Sequence, residues 1–65
     1  MQLLKLPEVC RKVGLTKAPI YAGIKAGKFP APVSIGERAV AWVESEVDGW
    51  IADRIAERDA GRAAQ

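Results

Sequence analysis

The chain contains no histidine and a single cysteine, Cys10. The first absence removes the side chain most often used as a general base near neutral pH. The second excludes an internal disulfide and leaves no Cys/His set for a zinc site. Glu44, Glu46 and Asp48 lie close together, but without partners for acid–base work they read as the anionic start of a helix. No phosphate-cradling glycine motif occurs. No enzymatic activity, cofactor or metal is therefore expected. Cys10 reads as a small buried hydrophobe rather than a reactive thiol. Aromatic residues make up only 6% of the chain. No apolar run approaches the ~20 residues that a membrane span needs. Lys5, Pro7 and Glu8 interrupt the apolar start, so no secretory leader is read and a cytoplasmic location is expected.

What remains is 65 residues, 49% of them hydrophobic, enough for one compact domain over residues 1–65 with a small core. The net charge of +2 is unevenly spread: residues 1–28 sum to +5, residues 29–53 to −4 and residues 54–65 to +1. A small dipolar domain of this kind presents one face to a polyanion.

The local signals give a consistent order of elements. Leu3 and Leu4 either form an edge strand or pack on the core. Pro7, with Glu8 beside it, starts a helix over about 7–13 that Gly14 ends, burying Val9 and Val13 and turning Arg11 and Lys12 outward. Thr16 is read as the N-cap of a second helix over about 17–27, with Pro19 in its first turn. Ile20 and Ile24 share its inner face, Gly27 supplies the left-handed cap, and Phe29-Pro30 stops it. Residues of about 33–42 alternate with period two around a Gly36-Glu37-Arg38 loop, which predicts a two-stranded hairpin. Val33, Ile35, Val40 and Trp42 are expected on one side, Ser34 and Ala41 on the other, with Phe29, Ile35 and Trp42 anchoring the hairpin to the helices. A last helix over about 45–60 would use Ser45 and Asp48 as a capping box and bury Val47, Trp50, Ile51 and Ile55. Beyond Ile55 little is left to bury, and the C-terminal residues are expected to fray.

A short helix, a turn at Gly14-Leu15-Thr16 and a second helix make a helix-turn-helix, and the hairpin makes a wing. The fold class is thus mainly α with a small β-hairpin. On the second helix, the face away from Ile20 and Ile24 holds Ala18, Ala22 and Lys25, with Lys17 and Tyr21 at its edge and Lys28 just beyond. This small basic surface suits a nucleic-acid groove.

Leu-Pro-Glu-Val at the start, Gly-Leu-Thr before an Ile-Tyr helix, Gly-Lys-Phe-Pro-Ala-Pro-Val after it, and Arg-Ala-Val-Ala-Trp-Val-Glu-Ser-Glu-Val-Asp-Gly-Trp-Ile near the end resemble the AlpA family of prophage regulatory proteins. That family consists of small winged helix-turn-helix proteins of MerR/excisionase-like type. The resemblance runs from about Leu4 to Arg58. It implies a bacterial or phage protein, nucleoid-associated, that binds double-stranded DNA as a transcriptional regulator or as an excisionase-like recombination directionality factor. It also implies that the second helix enters the major groove while the wing reaches an adjacent groove. The corresponding positions are Lys17, Ala18, Pro19, Tyr21, Ala22 and Lys25, with Arg38 on the wing. The chain departs from the family pattern at three of its positions. The family usually has Ser or Thr near Pro19, Arg at Ala22 and a larger apolar residue at Gly23. An absent Arg at Ala22 removes a bidentate guanine contact worth about 1–3 kcal/mol of discrimination.

Lys17, Lys25 and Lys28 are assigned to phosphates, which position a protein without reading sequence. Tyr21 either bonds a phosphate through its hydroxyl or packs beneath the helix. Arg38 contacts the minor groove or backbone, or is a solvated hairpin charge. Arg11 and Lys12 touch flanking backbone or are simply solvated. Trp42 and Trp50 are assigned to the core rather than to base stacking. Arg54, Arg58 and Arg62 form a row facing DNA or a neighbouring protomer, or else are ordinary helix-end charge. A single module of this size covers only about 600–1,000 Å², so paired or tandem copies on DNA are expected. The alternative is a protein-interaction adapter that docks onto another regulator or a recombinase, suggested by Ala22, Gly23 and the acidic stretch from Glu37 to Asp53.

Overall fold

The structure, a computed structural model, describes residues 2–63, with side chains through Gly61. Its elements run β1 (Leu3–Leu4), α1 (Leu6–Val13), α2 (Lys17–Lys25), β2 (Val33–Gly36), β3 (Ala39–Val43) and α3 (Glu44–Ala63). The result is a helix-turn-helix with an antiparallel wing and a long closing helix. Among the described residues no helix is long and apolar enough to cross a membrane.

α1 starts where the Glu8 carboxylate accepts a hydrogen bond from the Lys5 amide (3.0 Å). It ends at Gly14, whose φ of 72° is the left-handed conformation that glycine adopts without a Cβ penalty, and whose amide donates to the Cys10 carbonyl. Three residues later α2 begins. Thr16 has extended N-cap backbone, but its hydroxyl makes no capping bond, contrary to the sequence expectation. The C-terminus of α2 is a Schellman turn: Lys28 N–H donates to the Gly23 carbonyl at 2.8 Å and Gly27 N–H to that of Ile24 at 3.0 Å, with Gly27 at φ 74°.

The wing has three strands in the order β1-β3-β2, because Leu3 and Leu4 take the edge-strand option and pair with Val43 and Trp42. Its facing also differs from simple alternation. Val33 lies opposite Ala41 and Ser34 opposite Val40, so Ser34 shares a face with Val40 and Trp42 instead of with Ala41. A bulge between Ser34 and Gly36 absorbs one residue, and a one-residue shift exchanges the faces. Ile35, expected as an anchor, sits in this bulge and is 46% exposed.

The core is built from Leu4, Val9, Ile20, Phe29, Trp42 and Val47, with Leu6, Cys10, Val13, Leu15, Ile24, Trp50 and Ile51 packed partly against it. Both indoles hold the connection after α2. Trp42 Nε1 donates to the Pro30 carbonyl (3.0 Å) and Trp50 Nε1 to that of Lys28 (2.9 Å). Phe29 is clamped beside Trp50 with ring centroids 5.0 Å apart.

α3 leaves β3 with no intervening loop. The Glu44 amide donates to the Gln2 carbonyl (2.8 Å), so Ser45 lies inside the helix and the predicted Ser45–Asp48 box does not form. The helix continues to Ala63, past the point where fraying was expected. At ~1.5 Å per residue it is about 30 Å long, and it extends the molecule to 49 Å along its major axis against 25 and 19 Å across. Ile55, predicted as core, lies on this projecting part and is 45% exposed.

Candidate nucleic-acid interface

The turn between α1 and α2 sets the outer face of α2. Burying Ile20 completely and Ile24 partly against the core leaves the other side of the helix in solvent. Lys17, Ala18, Pro19, Tyr21, Ala22 and Lys25 are all exposed. The small side chains of Ala18 and Ala22 keep the centre of this face low, so a groove floor can approach the helix backbone. Lys17 and Lys25 stand at its two ends and Lys28 follows, its carbonyl held by Trp50.

Tyr21 joins this face to the wing. Its ring meets Trp42 edge-on, with centroids 6.4 Å apart at 65°, yet the residue is 40% exposed. Lys17 Nζ lies 6.0 Å from the Tyr21 ring centroid, at the outer limit for a cation–π contact. The ring therefore packs against Trp42 while the residue stays partly exposed. Arg38 occupies the tip of the β2–β3 hairpin with φ 58°, a left-handed conformation uncommon outside glycine, asparagine and aspartate. It is exposed there.

The distribution of ion pairs separates two kinds of cation. Lys12 bridges to Asp48 (2.9 Å) and Glu44 (3.6 Å), tying α1 to the start of α3. The Asp48 hydrogen bond raises the Lys12 pKa above its ordinary 10.5; desolvation opposes the rise, and the charges of Asp48 and Glu44 add to it. Arg54 pairs with Glu57 and Arg58 with Asp59. Among the described residues Lys5, Arg11, Lys17, Lys25, Lys28 and Arg38 take part in no ion pair, and the last four lie on α2, just past it and at the hairpin tip. Lys12, read from sequence as solvated or flanking DNA, is a structural cation. Its partners lie 32 and 36 positions away, so no local spacing could reveal it. Arg62, the end of the basic row, has its side chain outside the described residues.

Gly23 also finds a reason here. A Cβ at this position would lie 3.0 Å from Phe29 Cβ. The absent side chain is what lets the Phe29-Pro30 connection fold back under α2.

Comparison with known proteins agrees with this architecture. The family model described as "Prophage CP4-57 regulatory protein (AlpA)" matches residues 2–55. The chain is 47% identical over 60 residues to the uncharacterized protein ORF88 of Enterobacteria phage P4, an alignment covering 92% of this chain and 68% of that protein. It is 32% identical over 60 residues to the DNA-binding transcriptional activator AlpA of Escherichia coli (strain K12), covering 83% of this chain and 86% of the relative. No solved structure matches. With a family model spanning most of its length, the helix-turn-helix and its wing in place, and two such relatives, the chain belongs to the AlpA family of phage and prophage regulatory proteins.

Proposed function

We propose that the protein binds double-stranded DNA as a small phage-type transcriptional regulator, with α2 in the major groove and the hairpin tip on an adjacent groove. The observation that supports this most directly is that, of the six exposed cations in no ion pair among the described residues, four (Lys17, Lys25, Lys28 and Arg38) lie on the outer face of α2, just past it and on the wing, the others being Lys5 and Arg11. Lys17, Lys25 and Lys28 bind phosphates, Arg38 the minor groove or backbone, and Ala18 and Ala22 pass close to base edges where they touch thymine methyl groups. Tyr21 adds a phosphate contact through its hydroxyl while its ring stays against Trp42. Such a face positions the protein more strongly than it reads sequence, so specificity comes from paired or tandem copies on repeated half-sites. The same mode of binding serves either transcription or excisionase-like control of recombination.

The adapter reading loses two of its supports. Gly23 is accounted for by the close approach of Phe29, and Glu44 and Asp48 are engaged by Lys12.

Binding of a labelled duplex across a salt series tests the proposal. Four cation–phosphate contacts imply a log–log slope of about −3.6, or roughly a hundredfold loss of affinity from 50 to 200 mM salt. Replacing Lys17 and Lys25 together by Glu is expected to abolish binding. Salt-independent binding, or a double variant that binds as tightly as the parent, would refute it.

A further inference from the structure

On α3, Glu46, Gly49, Trp50 and Asp53 follow helical spacing and form one wall of an open groove of about 740 Å³. Its other wall is the extended segment after α2, including Pro30 and Pro32. The lining is largely apolar and carries Lys28 as well as the carboxylates Glu46 and Asp53, a net negative charge, and among the described residues none of the three is in an ion pair. Gly49 is the informative residue. A Cβ there would meet nothing within 4 Å, so no packing within the chain requires glycine inside this helix. Where Gly23 makes room for Phe29, Gly49 leaves open space in the groove beside Trp50.

The complementary surface is on the same helix. Ile55 is 45% exposed and shares with Arg58 the lining of an open hollow that also includes Lys12 and Val13 of α1, so it offers an apolar knob with a cationic neighbour at the edge of that hollow. At ~100° per residue the groove positions and the Ile55/Arg58 pair point roughly 160° apart around the helix. The geometry points to head-to-tail self-association in which Ile55 and Arg58 of one copy enter the groove of the next, Ile55 over Gly49 and Trp50 and Arg58 beside Asp53 and Glu46. Arg58 exchanges its exposed pairing with the adjacent Asp59, of little energetic value, for two carboxylates. Because knob and groove lie on opposite sides of α3, the contact does not close on itself, and it generates rows of copies instead of a symmetric dimer. A symmetric α3–α3 pairing through Ile51 and Ile55 would instead bring Arg54 and Arg58 of two copies together. This contact supplies the tandem arrangement suggested above; its groove includes Lys28 and Val33 but none of Lys17, Tyr21, Lys25 or Arg38, so variants at Lys17 and Lys25 separate it from DNA binding.

Sedimentation equilibrium of the full chain without DNA, up to 1 mM at low salt, is the test. The weight-average mass is expected to rise with concentration to at least twice the chain mass. Gly49→Leu, which fills the groove floor with a good helix former, and the double variant Ile55→Glu/Arg58→Glu, which removes the knob, are each expected to remain monomeric while keeping the parent's circular dichroism and melting cooperativity. An equimolar mixture of the two retains one intact contact and is expected to form a pair and nothing larger. Lys17→Glu/Lys25→Glu is expected to associate like the parent, so loss of DNA binding and loss of self-association are read separately. A parent that stays monomeric throughout, variants that associate like the parent, or a mixture that stays monomeric would each overturn the proposal.

Discussion

Gly23 and Gly49 occupy helix interiors, where glycine costs about 1 kcal/mol relative to alanine, but their surroundings give them opposite signs. At Gly23 an added methyl meets the Cβ of a clamped Phe29 at 3.0 Å, and overpacking of that kind costs about 1–3 kcal/mol. Gly23→Ala is therefore expected to lose about 1 kcal/mol net by chemical denaturation, and Gly49→Ala to gain up to about 1 kcal/mol. Arg38 presents a different balance. Its left-handed backbone costs about 1 kcal/mol, and glycine relieves that strain at some entropic cost to the folded state. Arg38→Gly is expected to raise stability by about 0.5 kcal/mol while lowering the slope of log affinity against log salt by about 0.9, the signature of one lost phosphate contact. A variant that is both more stable and equally salt-sensitive would show that Arg38 does not touch DNA.

At the scale of elements, α1 and α3 are joined by Lys12. Its folded-state pKa is raised above 10.5, chiefly by the Asp48 hydrogen bond. Its contribution to stability is therefore complete below the unfolded value and disappears as pH climbs through the folded one. Thermal melts of the parent and of Lys12→Met between about pH 9 and pH 12 isolate this dependence. The difference between the two is expected to be constant near pH 9 and to vanish at the alkaline end. The wing makes the complementary point. Period-two alternation correctly located two strands, but a bulge at Ile35 reversed which residues lie opposite each other. Nothing in Val-Ser-Ile-Gly announces a bulge, because a bulge is a property of how β2 registers against β3. The start of α3 fell where it was expected, but the helix runs on to Ala63 past the expected fraying, and Ile55 stays 45% exposed because little of the fold lies beside that part of the helix.

For the whole molecule, a core of six buried large side chains leaves little reserve of stability, as chain length alone implies. Ligand binding should consequently be prominent in the melting curve. Duplex DNA at a hundred times its dissociation constant adds about 2.7 kcal/mol, which for a domain of this size is a rise of roughly 10–20 °C in Tm. Differential scanning fluorimetry with and without a bound duplex checks this, and Lys17→Glu/Lys25→Glu should show no rise. The sequence by itself determined the helices, the turn between them, the presence of a hairpin and the outward basic face of α2, because each follows from residues within a few positions of one another: Gly14, Gly27, the Ile20–Ile24 stripe, the prolines after Phe29. Only the tertiary structure decided which cations are spent and which are free, which strand faces are covered, why Gly23 is glycine, and that Ile55 stands in solvent. Those outcomes depend on groups brought together across long stretches of chain, and local spacing holds no record of such distances.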